Sequence, residues 1–201
     1  MPTTENLGSR ILRTVIPFVL WFFVAAMISY FILPTGFLRS TNEVGDVTTE
    51  ENFAILCAKI FARNLFPAAL LCIGCLVAVK CKNKNYPFAY LGLFLMFSIN
   101  GMTLGTWSFT AVDEAAPPLF LRILQTFDIL HRAGLIEMIA LCLLVSALIN
   151  CALVQIHHGK AEINAKKKVC FSRRDLSCLI VGVCLLIVAA MVETNSIING
   201  A

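Results

Sequence analysis

Five apolar stretches, each close to the roughly 20 residues a helix needs to cross a hydrocarbon core, divide this chain at about 14–35, 63–80, 86–107, 134–156 and 176–195. With 59% hydrophobic and 14% charged residues among 201, too few solvating side chains remain to cover a soluble domain of this size. The expected fold is an all-α integral membrane protein. It is a single membrane domain over residues 1–201, with five transmembrane helices and an amphipathic helix on the outer side between the third and fourth spans. The basic pair Arg10 and Arg13 precedes an apolar run from 15 to 33. That run is longer than the core of a signal peptide and lacks a small-residue cleavage site, so it is expected to stay as an anchor.

The connecting segments carry the orientation signal. Arg10, Arg13, Lys80, Lys82, Lys84, Lys160, Lys166, Lys167, Lys168, Arg173 and Arg174, eleven basic residues, fall in one set of compartments. Only Arg39, Lys59, Arg63, Arg122 and Arg132 fall in the other. Basic residues are held on the cytoplasmic side, which puts the N-terminus in the cytoplasm and the C-terminus outside. The same asymmetry accounts for the net charge of +4, and nothing in the sequence points to nucleic acid.

The first outer loop, 36–62, begins acidic (Glu43, Asp46, Glu50, Glu51) and then becomes periodic, with Phe53, Leu56, Ile60 and Phe61 at helical spacing. It is expected to be a loop leading into a surface helix. The second outer segment, 117–133, opens on Pro117 and Pro118, which suit a helix entrance. It places Leu119, Ile123, Phe127 and Leu130 on one stripe. An amphipathic helix at the outer interface is expected there, with a helix packed on the bundle as the alternative.

Charged and amide side chains inside spans are costly and often mark function. Asn64, Asn100, Glu137 and Glu193 form the candidate intramembrane polar cluster, with the two glutamates at the outer ends of the fourth and fifth spans. Asn150 lies in the fourth span, and interhelical hydrogen bonding is the expected work of such amides. Gly101 and Gly105 make a small-xxx-small face that lets a helix approach closely, within the chain or in a dimer, and Gly134 is a third candidate packing glycine. His131 stands six residues from Glu137, which lacks the i, i+4 spacing of a helical zinc pair. No metal site and no cofactor are expected. The nine cysteines lie mostly in apolar stretches, where Cys72-x-x-Cys75 is read as small packing residues rather than a redox or metal motif. No Ser/His/Asp arrangement or phosphate loop is present, and the sequence assigns no catalytic residue.

Taken in order, these landmarks resemble the stage II sporulation protein M family of bacterial membrane proteins. The similarity lies in an Asn at the head of the second span (ARNLFPAALLCIG, Asn64), Asn-Gly-x-x-x-Gly in the third (INGMTLG, Asn100 to Gly105), a Gly-x-x-Glu element opening the fourth (RAGLIEMIA, Gly134 and Glu137), and Ala-Ala-x-x-Glu closing the fifth (AAMVE, Glu193). It covers about residues 60–195. One departure is clear: where the family has Pro-His before the glycine, this chain has Arg132-Ala133, and His131 is displaced by two residues.

The resemblance implies a bacterial cytoplasmic membrane protein that acts as a scaffold or partner subunit. The system would be a peptide (bacteriocin-type) export, maturation or immunity system, or an envelope-remodelling complex. Implied partners are membrane lipid, ABC transporter subunits or envelope hydrolases, a hydrophobic peptide, and further copies of the chain. Two alternatives stay open. One is a permease-like component with Asn100, Glu137 and Glu193 along a path. The other is an intramembrane enzyme acting on a peptide.

Overall fold

The computed structural model describes residues 7–38, 52–81, 84–108, 116–128, 133–157, 160–163 and 172–199. The chain is mostly helical. The helices are α1 (Leu7–Ile32), α2 (Phe53–Gly74), α3 (Ala89–Thr106), α4 (Leu119–Thr126), α5 (Gly134–Leu148) and α6 (Arg173–Asn199). Among the described residues, α1, α2, α3 and α6 are long and apolar enough to cross a membrane, which agrees with the expected membrane protein. Their outward faces carry large apolar side chains, with Phe31 74% and Phe66 69% exposed. Such surface needs lipid to cover it.

The all-α expectation requires correction, because the chain also forms a four-stranded sheet. Its strands are β1 (Val77–Cys81), β2 (Lys84–Pro87), β3 (Val154–His157) and β4 (Lys160–Ile163), in the order β2-β1-β3-β4. Each outer strand pairs antiparallel with its neighbour, and the central β1 and β3 pair in parallel with Val77 opposite Val154. The expected second and fourth spans, 63–80 and 134–156, ran through β1 and β3. A short apolar strand inside an apolar run has no hydropathy contrast with a helix, although Val77, Val79, Val154 and Ile156 supply the β-branched character a strand favours.

The parallel β1/β3 pair fixes helix direction. Both α2 and α5 run toward the sheet, and α3 and α6 leave from it. Contacts at matching heights make α1 parallel to α3: Trp21 Nε1 donates to Ser98 Oγ at 2.8 Å, and Gly101 lies against Phe22 and Ala25 further along. At the far end Gly105 meets Ala26 and Ser29. Helix α6 runs antiparallel to α5, from Cys178 beside Leu143 to Ala189 beside Ile136. Five helices therefore alternate in direction. Arg10, Arg13, Lys80, Lys84, Lys160, Arg173 and Arg174 all fall at the sheet end.

Helix α5 sits at the centre. Eleven of its 15 residues are buried, against α1, α2, α3 and α6, and a helix apolar all round is a buried one. The expected surface helix at 53–61 and the second span form a single helix, α2. Asn52 Oδ1 caps it by accepting from Ala54 N at 3.0 Å. Leu56 and Ile60 of its stripe pack on Ala190 of α6, with Phe61 partly buried beside them, while Phe53 is exposed. The acidic residues Glu43, Asp46, Glu50 and Glu51 lie outside the described residues.

The small-xxx-small face is used within the chain. A Cβ on Gly101 would stand 2.5 Å from Phe22 O and 2.9 Å from the Ala25 Cβ, and one on Gly105 would collide with Ser29 Oγ and Ala26 O. Gly134 is corrected in the opposite sense: it is exposed, and among the described residues nothing stands within 4 Å of where its Cβ would be. The close contact on α5 comes instead from Gly182 of α6, whose Cβ would meet Leu144 at 2.9 Å. Gly105→Ala should destabilise the protein by about 1–3 kcal/mol, because the clash is with backbone that cannot yield. Gly134→Ala should be neutral or slightly stabilising. Thermal unfolding in detergent tests the contrast, and equal effects at the two positions would contradict the packing described.

Candidate functional site

The end of the bundle opposite the sheet collects the polar side chains. Glu137 lies in the first turn of α5, where unpaired backbone N–H groups favour a carboxylate. Asn64 on α2 reaches it: the Asn64 Nδ2 donates to Glu137 Oε1. Glu193 follows Ala189 and Ala190, both fully buried. Those alanines let α6 pack on Ala133 and Ile136 on one side and on Leu56 and Ile60 on the other. Glu193 thus stands where α2, α5 and α6 converge. Glu193 and the Arg63 guanidinium are within electrostatic reach of Glu137, and Arg63 is within reach of Glu193.

Three of the four expected members of the polar cluster, Asn64, Glu137 and Glu193, therefore lie toward one junction, with the exposed Arg63 within electrostatic reach. Asn100 is exposed on α3 and takes no part in the Asn64–Glu137 bond. Asn150, expected in the fourth span, lies in the turn after α5 ends. His131 and Arg132 lie outside the described residues. Among the described residues no group of three or more His, Cys, Asp or Glu stands together where a metal could be held.

Arg122 is the polar residue whose place the sequence did not disclose. It is only 3% exposed, and its Nη1 donates to Gly105 O while Nε donates to Pro117 O at 2.6 Å. The guanidinium also lies 4.9 Å from the Tyr30 ring centroid and 5.7 Å from that of Trp107. Burial lowers its pKa from the ordinary value, but an arginine starts so high that it stays charged.

The last four carbonyls of a helix have no partner within it, and Arg122 completes the set at the end of α3. Trp107 N donates to Leu104 O and Ser108 N to Thr103 O, Gly36 N donates to Thr106 O at 2.7 Å, and Arg122 takes Gly105 O. Trp107 closes this turn with a φ of 54°, a conformation usually left to glycine. Its ring is buried beside the arginine. Of the expected stripe on 117–133, Leu119 and Ile123 are half-buried and Phe127 is exposed, and Leu130 lies outside the described residues. The fully buried positions of α4 are instead Arg122 and Thr126, with Phe120 70% exposed and Leu124 also exposed.

No protein-family model, curated protein or solved structure matches the chain. The chemistry of the junction is therefore argued from its own groups, which are two carboxylates, one amide and one guanidinium on three helices. The described groove of about 350 Å³ lies elsewhere, lined by Ile11, Leu143, Arg173, Arg174, Ser177, Cys178 and Val181, and none of the junction residues lines it.

Asn64→Leu should cost about 1–3 kcal/mol, since it leaves the Glu137 carboxylate without its donor in a half-buried site. Combining it with Glu137→Leu should cost less than the sum of the single changes, because the double variant has no orphaned group. Additive losses in detergent unfolding would show that the two side chains do not interact.

Proposed function

We propose that the chain is an integral membrane scaffold or partner subunit of a peptide (bacteriocin-type) export, maturation or immunity system or of an envelope-remodelling complex. In this reading it crosses the bacterial cytoplasmic membrane five times, with the N-terminus and the sheet in the cytoplasm and the C-terminus outside. Alternating helix direction and the basic residues at the sheet end support that placement. Helix α5, with 15 residues, reaches about 22 Å, and its burial by other helices lets it cross without matching the full lipid thickness. Helix α4, with Arg122 and Thr126 inward and Phe120, Leu124 and Phe127 outward, would lie in the outer interface with its apolar side against lipid.

The observation that carries the scaffold reading is the junction of Asn64, Arg63, Glu137 and Glu193. Asn64 of α2 bonds Glu137 of α5, with Glu193 of α6 and Arg63 within electrostatic reach, and none of these groups lines the described groove. The glycine face of α3 is also taken up inside the chain, which leaves the lipid-facing helices, α4 and the sheet as surfaces for partners. The resemblance to the stage II sporulation protein M family supplies the class of partner: ABC transporter subunits or envelope hydrolases, with a hydrophobic peptide as cargo.

The test is affinity purification of the tagged protein from its native membrane in mild detergent, with mass spectrometry of bound proteins. A Glu137→Gln, Glu193→Gln double variant is run in parallel. Wild-type protein should bring down transporter subunits or envelope hydrolases, and the variant should lose them while remaining folded. A wild-type protein that emerges alone, with a folded but inactive variant, would sink the scaffold reading in favour of transport or intramembrane chemistry.

A further inference from the structure

We propose that the groove between α1, α5 and α6 at the sheet end is a binding site for one anionic phospholipid. The lipid phosphate is held by Arg173 and Arg174, and an acyl chain lies along Ile11, Leu143 and Val181. The inference rests on the membrane placement proposed above and adds a ligand at a site distinct from the polar junction.

The groove joins two chemistries at one depth. Its mouth is the first turn of α6, where Arg173 and Arg174 are exposed and Ser177 follows one turn below. Its floor is apolar, formed by Ile11, Leu143 and Val181, and Cys178 closes it by donating to Leu143 O at 3.5 Å. From Arg173 to Val181 the helix descends about 12 Å, the distance from a headgroup into the first part of an acyl chain. A soluble anion would use the mouth and leave the floor wet; a neutral lipid would use the floor and leave two guanidinium groups without a counter-charge. An anionic phospholipid satisfies both.

The one acid in this turn does not compete. Asp175 is buried and engaged in a reciprocal cap, with its carboxylate accepting from Ser172 N at 3.3 Å and its own N–H donating to Ser172 Oγ at 3.1 Å. Both charged groups lining the groove are therefore positive, and the N-terminus of a 27-residue helix adds partial positive charge at the same place. Basic pockets between helices on the cytoplasmic side are suited to anionic headgroups, and that leaflet holds the anionic lipid.

The experiment uses the full chain in detergent. Thermal unfolding and native mass spectrometry are followed on addition of phosphatidylglycerol, phosphatidylcholine with the same acyl chains, or water-soluble glycerol phosphate. Phosphatidylglycerol should raise the melting temperature and leave a retained lipid adduct, and the other two should do neither. Arg173→Gln/Arg174→Gln should abolish both effects. Val181→Trp, which fills the floor without changing charge, should abolish them as well, and it keeps the test decisive where the double variant does not fold.

Equal effects of the two lipids would overturn the proposal. So would an effect of glycerol phosphate alone, or phosphatidylglycerol retention unchanged in the variants. A chain that stays folded and monodisperse without detergent would overturn the membrane placement itself, a result distinguishable from failure of the groove.

Discussion

A helix buried on every side has to be enclosed before it can be stable, and α5 sets that requirement for the whole molecule. Its side chains leave no broad face for lipid or water, so α1, α2, α3 and α6 pack around it. Small residues make the enclosure possible. Gly182 admits Leu144, Ala189 and Ala190 admit α5 and α2, and Gly101 and Gly105 bring α1 onto α3. Between apolar helices in lipid there is little hydrophobic gain, and close van der Waals packing at such small residues carries the association.

The second requirement is that polar groups in a low-dielectric interior find partners. The molecule meets it at the ends of helices. The carbonyls closing α3 are taken by Trp107, Ser108, Gly36 and Arg122, and Glu137 at the start of α5 is met by Asn64. At the sheet end the backbone leaving α2 and α5 is satisfied by strand pairing, with β1 and β3 joined side by side. Charge follows a similar division: most of the described arginines and lysines lie toward the sheet end, and Glu137 and Glu193 lie at the other.

Much of this was legible in the sequence, for physical reasons that differ by element. The first, third and fifth spans are bounded by charge or by glycine and polar residues, and α1, α3 and α6 overlap the expected ranges, α3 most closely, while α1 begins well before the expected start, at Leu7. The Asn64–Glu137 contact was foreshadowed because an amide and a carboxylate in apolar runs need partners. The sheet was not legible from hydropathy, since Val77, Val79, Val154 and Ile156 continue the apolar runs of α2 and α5. The signals that marked it were β-branching and the turn formers Asn83 and Gly159. Arg122 was hidden for a different reason. A charge beside an apolar stripe reads as solvent-facing, whereas the carbonyl of Gly105 on another helix, together with that of Pro117 and the Tyr30 and Trp107 rings, turns it inward. Gly134 misled because a glycine in a span suggests close packing, whereas here it opens a helix with no close neighbour among the described residues.

The central claim is that the sheet end and the C-terminal end of α6 lie on opposite sides of one membrane. Single cysteines at Lys80, in β1, and Ile198, near the end of α6, in an otherwise cysteine-free protein test it most directly, using a membrane-impermeant maleimide. Ile198→Cys should label in intact cells, and Lys80→Cys only after the membrane is permeabilised. Labelling of both positions from the same side would contradict the account.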